Sequence, residues 1–346
     1  MKVILPLQRN SPAVSKPKRL KFYAIALFIC GVAFVFAPAT LMLQLLDQWR
    51  MADAGPGRVF SAPVAPVIST APSPLISPRD VRAAASVAKV KYVFANAGYS
   101  LDAVRVGQAM VPRIHHDYLP HDLSDITQPH ERKAFFLHFM LPYVLEANNR
   151  VATQRARLTA LATKLDAATP LTGADVEWLA KLGQEYGVQP DNLAKLVARV
   201  DVVPPSLALA QGAIESGWGT SRFAQEGNAP FGQWTTQAYR GLVPRARDAG
   251  KTHKVRAFES IGESVASYLR NLNTHRAYRG FRERRAAFRA KNRPLESLPL
   301  ALSLASYSQK GARYVNLLRR VIRGNNLGAL DNARLGVLVM SFHPDA

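Results

Sequence analysis

Cysteine is nearly missing from this chain: among 346 residues there is one, Cys30. That excludes an intramolecular disulfide framework and any cysteine-based zinc or iron–sulfur site. Acid is scarce too. Twenty-four Asp and Glu stand against 45 Lys and Arg, a formal net charge of +21. Such a balance argues against an acidic scaffold and for an anionic partner, a membrane surface or an acidic polymer among them. No glycine-rich phosphate loop, no internal repeat and no nucleic-acid-binding motif occurs, and nothing in the sequence calls for a cofactor. What is plentiful is apolar: 48% of the residues are hydrophobic, enough to bury a core in one large or two smaller domains.

The N-terminus reads as a membrane segment. Residues 1–21 carry Lys2, Arg9, Lys16, Lys18, Arg19 and Lys21 and no acid, and Phe22 to Leu43 follow without a charge. A helix of that length spans roughly 33 Å, about the thickness of a bilayer core. The positive flank places the N-terminus in the cytoplasm and the rest of the chain outside it. A cleaved leader is the rival reading, because Ala37-Pro38-Ala39 resembles a small-residue cleavage site. The proline within that triplet and the apolar run beyond it favour an uncleaved anchor. Residues 44–80 then form a linker. Pro56, Pro63, Pro66, Pro72, Pro74 and Pro78 lie among Ala, Ser and Val, a composition that stays extended rather than building a core.

Beyond the linker the pattern is mostly helical, an N-terminal helical extension over 81–170 and a second domain over 171–346. Apolar residues at helical spacing over 130–166 predict a helix broken or kinked at Pro142. Thr172 caps a helix from 173 to about 186, and another covers about 190–200. Leu207 to Ile214 reads as a buried helix, and residues 233–258 have hairpin character with a turn at Asp248-Ala249-Gly250. Ser260-Ile261-Gly262-Glu263 is a capping-box pattern, and further helices are expected at 299–306 and 311–323.

The informative segment is Ala213-Ile214-Glu215-Ser216-Gly217-Trp218-Gly219. It puts a carboxyl group at the C-terminus of an apolar helix, against aromatic surface. Desolvation and the negative end of the helix dipole both raise the pKa of such a group, and an acid still protonated near neutrality can protonate a leaving glycosidic oxygen. The same glutamate could instead cap backbone amides of the glycine-rich turn.

Several stretches of the sequence carry a resemblance. They are Ala210-Gln211-Gly212-Ala213-Ile214-Glu215-Ser216-Gly217-Trp218-Gly219, Asn228-Ala229-Pro230-Phe231-Gly232-Gln233-Trp234 and the segment from Phe258 to Tyr268. Tyr307-Ser308-Gln309-Lys310-Gly311-Ala312-Arg313-Tyr314 follows, and Arg199 to Ser206 with Tyr268 to His275 complete the set. Together the chain resembles the bacterial glucosaminidases of glycoside hydrolase family 73, in their Bax-like branch, over 199–320 and more loosely from about 105. The resemblance implies a mostly α, lysozyme-like α+β domain with a small β-hairpin lobe that cleaves peptidoglycan after N-acetylglucosamine. By position, Glu215 becomes the general acid and Tyr307 the tyrosine facing it. Trp218, Asn228, Phe231, Trp234, Tyr278 and Tyr314 become the residues that hold the glycan strand.

One departure stands out. Many family members carry a second glutamate in the hairpin, but between Gln233 and Phe258 the single acid is Asp248, surrounded by Arg240, Arg245, Arg247, Lys251, Lys254 and Arg256. Asp248 is therefore the candidate second catalytic group, or else a turn residue beside Gly250. Without it the substrate's own 2-acetamido group or a held water must serve. The shortage keeps a lytic transglycosylase and a non-catalytic wall-binding protein as alternatives. His115, His116, His121 and His130 match no metal-ligand spacing and read as surface residues. The basic runs Arg282–Arg285 and Arg289–Arg293 read as solvated helix faces.

Overall fold

The computed structural model describes residues 86–189, 192–235, 241–243 and 254–341, with the side chains of 337–341 left aside. The expected tail, anchor and linker (1–80) and the hairpin turn with Asp248 lie outside these residues. Among the described residues no helix is long and apolar enough to cross a membrane. The chain divides into two compact units, 1–62 with 165–169, and 63–164 with 170–346. Of the first, only 165–169 are described, a helix end and a turn with Ala168 at φ 52°. The second unit carries everything that follows.

It is a mostly helical α+β structure. Helices α1 (Val87–Asn96) and α2 (Leu101–Arg105) lead into strand β1 (Val111–His115), then into the long helix α3 (Pro129–Asp166). Next come α4 (Gly173–Tyr186), α5 (Leu193–Arg199), α6 (Pro205–Ser216) and α7 (Arg222–Gly227). Short strands β2 (Trp234–Thr235), β3 (Gly241–Leu242) and β4 (Lys254–Arg256) make a small antiparallel sheet in the order β2-β4-β3. Helices α8 (Ile261–Thr274), α9 (Arg279–Ala290), α10 (Ser297–Ala301) and α11 (Ala312–Gly324) follow, and β5 (Leu335–Ser341) returns to pair in parallel with β1.

Several caps sit where the sequence places them. The side chain of Thr172 accepts from the Asp175 amide and opens α4, whose C-cap Gly187 is left-handed. Ser260 accepts from the Glu263 amide, while the Glu263 carboxylate turns back to the Glu259 amide, a capping box displaced by one residue. The expected break at Pro142 does not occur: α3 runs 38 residues through it. Phe139, Met140, Leu141, Tyr143, Val144 and Leu145 are all buried around the proline. Packing on every side thus outweighs the one backbone hydrogen bond that proline removes.

Helix α6 lies at the centre. Ten of its twelve residues are buried, and its small side chains let neighbours approach closely. A Cβ added at Gly212 would stand 3.3 Å from the Phe231 ring and 3.5 Å from that of Phe136. The helix has almost no polar side chains with which to satisfy its own first turn. Asp331 does this from 125 positions away, accepting from the Ser206 amide at 2.8 Å and the Ser206 hydroxyl at 2.9 Å. Burial lifts the Asp331 carboxyl to about 6, against the pull of these hydrogen bonds.

The segment entering α6 is fixed by a buried charge cluster. Asp201 is 2% exposed and takes a two-point contact from Arg289, at 3.0 and 2.8 Å, with Arg155 and Arg285 at 3.6 and 3.7 Å. Burial alone would raise the Asp201 carboxyl. The Arg289 hydrogen bond and the charges of Arg285 and Arg155 outweigh it and hold the carboxyl below its usual range. The expectation that Arg282 and Arg285 form a solvated face is therefore corrected. Arg285 is fully buried and donates to the carbonyls of Ala198, Arg199, Asp201 and Val202, and Arg282 donates to those of Leu272 and His275. The last turn of α5 and the chain after it offer carbonyls that only donors from elsewhere can satisfy. Replacing Asp201 by Ala strands three arginines without their counter-ion. Urea unfolding should show a loss of about 3–5 kcal/mol, and an unchanged midpoint would contradict the role given to this cluster.

Candidate active site

Glu215 is the penultimate residue of α6, where the helix gives way to Gly217 (φ 59°), Trp218 (φ 62°) and Gly219 (φ 85°), all left-handed. Glycine suits two of these positions, and Gly219 has a further reason. A Cβ there would come within 2.8 Å of Leu123 and 3.2 Å of Phe136. Ser216 ties the turn, its hydroxyl donating to the Gly212 carbonyl and accepting from the Gly219 amide. Trp218 is held in its strained conformation by the edge of Phe136, 5.8 Å between ring centres, and by the Lys133 ammonium 5.3 Å from its ring.

Around the Glu215 carboxyl the fold gathers phenols. Burial raises the carboxyl above its usual range, against the opposing influence of the neighbouring Tyr314 hydroxyl of α11 and of the Lys310 charge. The Tyr314 ring lies parallel to that of Tyr307 at 5.7 Å, and Tyr307 packs against Tyr278 at 5.8 Å and Tyr268 at 6.5 Å. Tyr268 stacks on Phe231 with ring centres 4.0 Å apart. The Tyr307 hydroxyl donates to the Phe231 carbonyl at 3.0 Å. This pins the loop in which left-handed Gly232 (φ 60°) passes the carboxyl, a Cβ there standing 3.7 Å from Glu215 Oε2. Every phenol in the group is raised by burial, so all four stay protonated.

The structure brings Glu215, Tyr307 and Tyr314 together as the sequence suggests, but it changes the part that other residues play. Asn228, Phe231 and Tyr314 are each 2% exposed and Tyr278 7%, so none has a face to lay against a sugar ring. Phe231 is a core ring between Tyr268 and Gly212. Asn228 is the left-handed C-cap of α7, and its amide donates to the Phe258 and Glu259 carbonyls, fastening the hairpin lobe. Trp218 is partly buried in the turn. Trp234, at the start of β2, keeps 63% of its surface in solvent. Asp248 lies outside the described residues.

The histidines also resolve. His116 is buried, stacked 5.9 Å from Phe139, and burial lowers it to about 4; His115 sits 3.4 Å from Glu146. Among the described residues no group of three or more His, Cys, Asp or Glu is placed to hold a metal ion.

Two residues of the site escaped the sequence reading. Gln211 and Tyr268 are both fully buried and hydrogen-bonded to each other at 2.7 Å. The signal for Gln211 was present: a polar side chain four residues before Glu215 shares its helix face within an otherwise apolar run.

A carboxyl raised by burial, among protonated phenols at the end of a buried helix, is a group able to hold and pass on a proton. The comparisons define the class. Residues 191–327 match the glucosaminidase family model, described as mannosyl-glycoprotein endo-beta-N-acetylglucosaminidase. The protein named bax of Escherichia coli is 32% identical over 210 residues, 59% of this chain and 73% of that protein. The peptidoglycan hydrolase FlgJ of Salmonella typhimurium is 29% identical over 154 residues, 41% of this chain and just under half of FlgJ. No solved structure matches. The chain is a glycoside hydrolase. It belongs to the glucosaminidase family, glycoside hydrolase family 73, in its Bax-like branch.

Tyr307→Phe removes the one hydrogen bond that ties the Phe231–Gly232 loop to the phenol cluster. Turnover of isolated peptidoglycan should fall about tenfold, for a stability loss of about 1 kcal/mol in urea unfolding. Full turnover in the variant would show that the loop needs no such tie.

Proposed function

We infer that the chain is an endo-β-N-acetylglucosaminidase that cuts the peptidoglycan strand, with Glu215 protonating the leaving glycosidic oxygen. The observation that carries the reading is the Glu215 carboxyl itself, desolvated at the end of α6 and raised for that reason. A general acid must hold its proton near neutral pH until the bond breaks. The family model and the FlgJ likeness support the substrate class. Trp234 offers an exposed aromatic face for stacking on a pyranose ring. Asp248, the single acid between Gln233 and Phe258, is the proposed second group. That this stretch offers a single acid keeps lytic transglycosylation as the second reading, since that reaction needs one acid and no activated water.

Mass spectrometry of products from purified peptidoglycan separates the two, with Glu215→Gln as the control. Reducing-end N-acetylglucosamine, abolished by the substitution while wall binding survives, is the expected result. Anhydro-muramic ends would move the chain to the transglycosylases. Product formation by the Glu215→Gln variant would remove Glu215 from the mechanism.

The basic flank and the uncharged run 22–43 support a single-pass inner-membrane anchor, with a cytoplasmic N-terminus and a periplasmic enzyme beyond a linker over 44–80. The full-length chain should therefore remain in membranes washed with alkaline carbonate. Release into the wash would overturn the anchor.

A further inference from the structure

Helix α11 carries four arginines and no acid in its 13 residues. Tyr314, Val315, Leu318 and Ile322 fill its inner face. Arg313, Arg320 and Arg323 lie on the opposite face, at positions i, i+7 and i+10 with Asn316 between them, and all are exposed. Arginines elsewhere find partners along their own helix: Arg222 pairs with Glu226 at 3.2 Å on α7, and Arg279 with Glu283 at 3.3 Å on α9. Among the described residues Arg313, Arg320 and Arg323 make no ion pair.

The helix itself does not call for this pattern. Arg320 and Arg323 are like charges one turn apart, which repel. The helix dipole suits Arg323 in the last turn, but it disfavours a cation in the first turn, where Arg313 stands with no acid to offset it. A surface charge kept against the preference of its own helix points to a counter-charge from outside the chain. The stripe also begins beside the site. Tyr314, the residue after Arg313, stacks on Tyr307 at 5.7 Å, and its hydroxyl accepts from Gln211 of α6 at 3.0 Å, one turn before Glu215. From there the arginines run along the helix for about 15 Å.

We propose that the face formed by Arg313, Arg320 and Arg323 binds the free carboxylates of the short peptides that hang from the peptidoglycan strand, and so holds the strand while its glycan is cut. This rests on peptidoglycan being the substrate. A guanidinium fork meets a carboxylate at two points, and a row of forks suits a polymer that repeats its charge. The face does not suit a membrane. A helix lying in lipid turns its apolar side outward, whereas Val315, Leu318 and Ile322 are buried in the core. Single-stranded nucleic acid is disfavoured as well, because Arg313, Asn316, Arg320 and Arg323 offer no aromatic ring on which a base could stack.

The test uses the full-length chain in detergent, with intact peptidoglycan and with the same material stripped of its peptides by an amidase. Arg313→Gln, Arg320→Gln and Arg323→Gln together should weaken co-sedimentation with the intact polymer about tenfold, the summed effect of three exposed charge pairs. The preference in kcat/KM for intact over stripped strands should shrink by the same factor. An equal loss on both strands, or no loss on either, overturns the proposal. Arg150→Gln, Arg284→Gln and Lys291→Gln together remove the same charge from exposed positions elsewhere and should leave the preference in place. A loss equal to that of the stripe variant would make the effect one of net charge and overturn the proposal. Arg313→Glu separates binding from folding. It puts an acid where the dipole favours one, so the urea midpoint should hold or rise while binding falls. A lowered midpoint with binding intact would return Arg313 to a structural role and overturn its part in the face. A dependence on the three arginines seen only after reconstitution in phosphatidylglycerol vesicles would assign the face to the membrane instead. A native chain that neither binds nor cuts either strand overturns the peptidoglycan reading and this one with it. An active native chain beside an unchanged stripe variant overturns this one alone.

Discussion

Everything in this enzyme depends on holding an apolar helix still. Helix α6 is built of Ala, Leu and Gly because it must pass through the middle of the core, with Phe136 and Phe231 seated on Gly212. A helix made that way cannot fix its own position, since it has neither an N-cap side chain nor ion pairs along its flank. The rest of the chain supplies both. Asp331 holds its first turn, and Asp201 with Arg155, Arg285 and Arg289 holds the strap that feeds it. Asn148 and Asn273 add backbone hydrogen bonds at Val203 and Asp201. The reward is at the far end, where Glu215 emerges at a defined point. A side chain at the end of a helix held in this way is fixed by its support more than by any contact of its own.

The surroundings of that carboxyl follow a consistent economy. A partly buried carboxyl of this kind is surrounded by side chains that carry no charge. Phenols do this: they pack as apolar rings, donate one proton, and remain neutral when buried. Tyr268, Tyr278, Tyr307 and Tyr314 come from three separate regions of the chain and meet ring to ring. The one ammonium acting on Glu215, that of Lys310, belongs to an exposed residue at the rim.

Much of the helical frame was legible in the sequence, because caps and apolar periodicity are local. Thr172, Ser260 and the run from Leu207 to Ile214 each declare an element within a few residues of themselves. The position of Glu215 was legible as well, from an acid at the end of an apolar run. What could not be read was anything decided by distant partners. Arg282 and Arg285 look like surface residues because arginine usually is one; only the unmet carbonyls of 198–202 draw them inside. Pro142 looks like a break until its neighbours prove buried on all sides. Phe231 and Tyr314 sit in the right motifs, yet their burial makes them supports of the carboxyl rather than walls of the groove. The Asp331–Ser206 cap and the β1–β5 pair lie beyond the reach of local pattern.

That last pair has a consequence for how the molecule comes into being. Strand β1 completes its hydrogen bonds only with β5, and Arg113 donates to the Gly336 carbonyl 223 positions later. Asp331, which secures the start of α6, also arrives near the end of synthesis. The early helices can form as they appear, but the sheet edge and the Glu215-bearing helix wait for the final tenth of the chain. A nascent copy therefore cannot complete the β1–β5 pair or the Asp331 cap on α6 until almost all of it has been made.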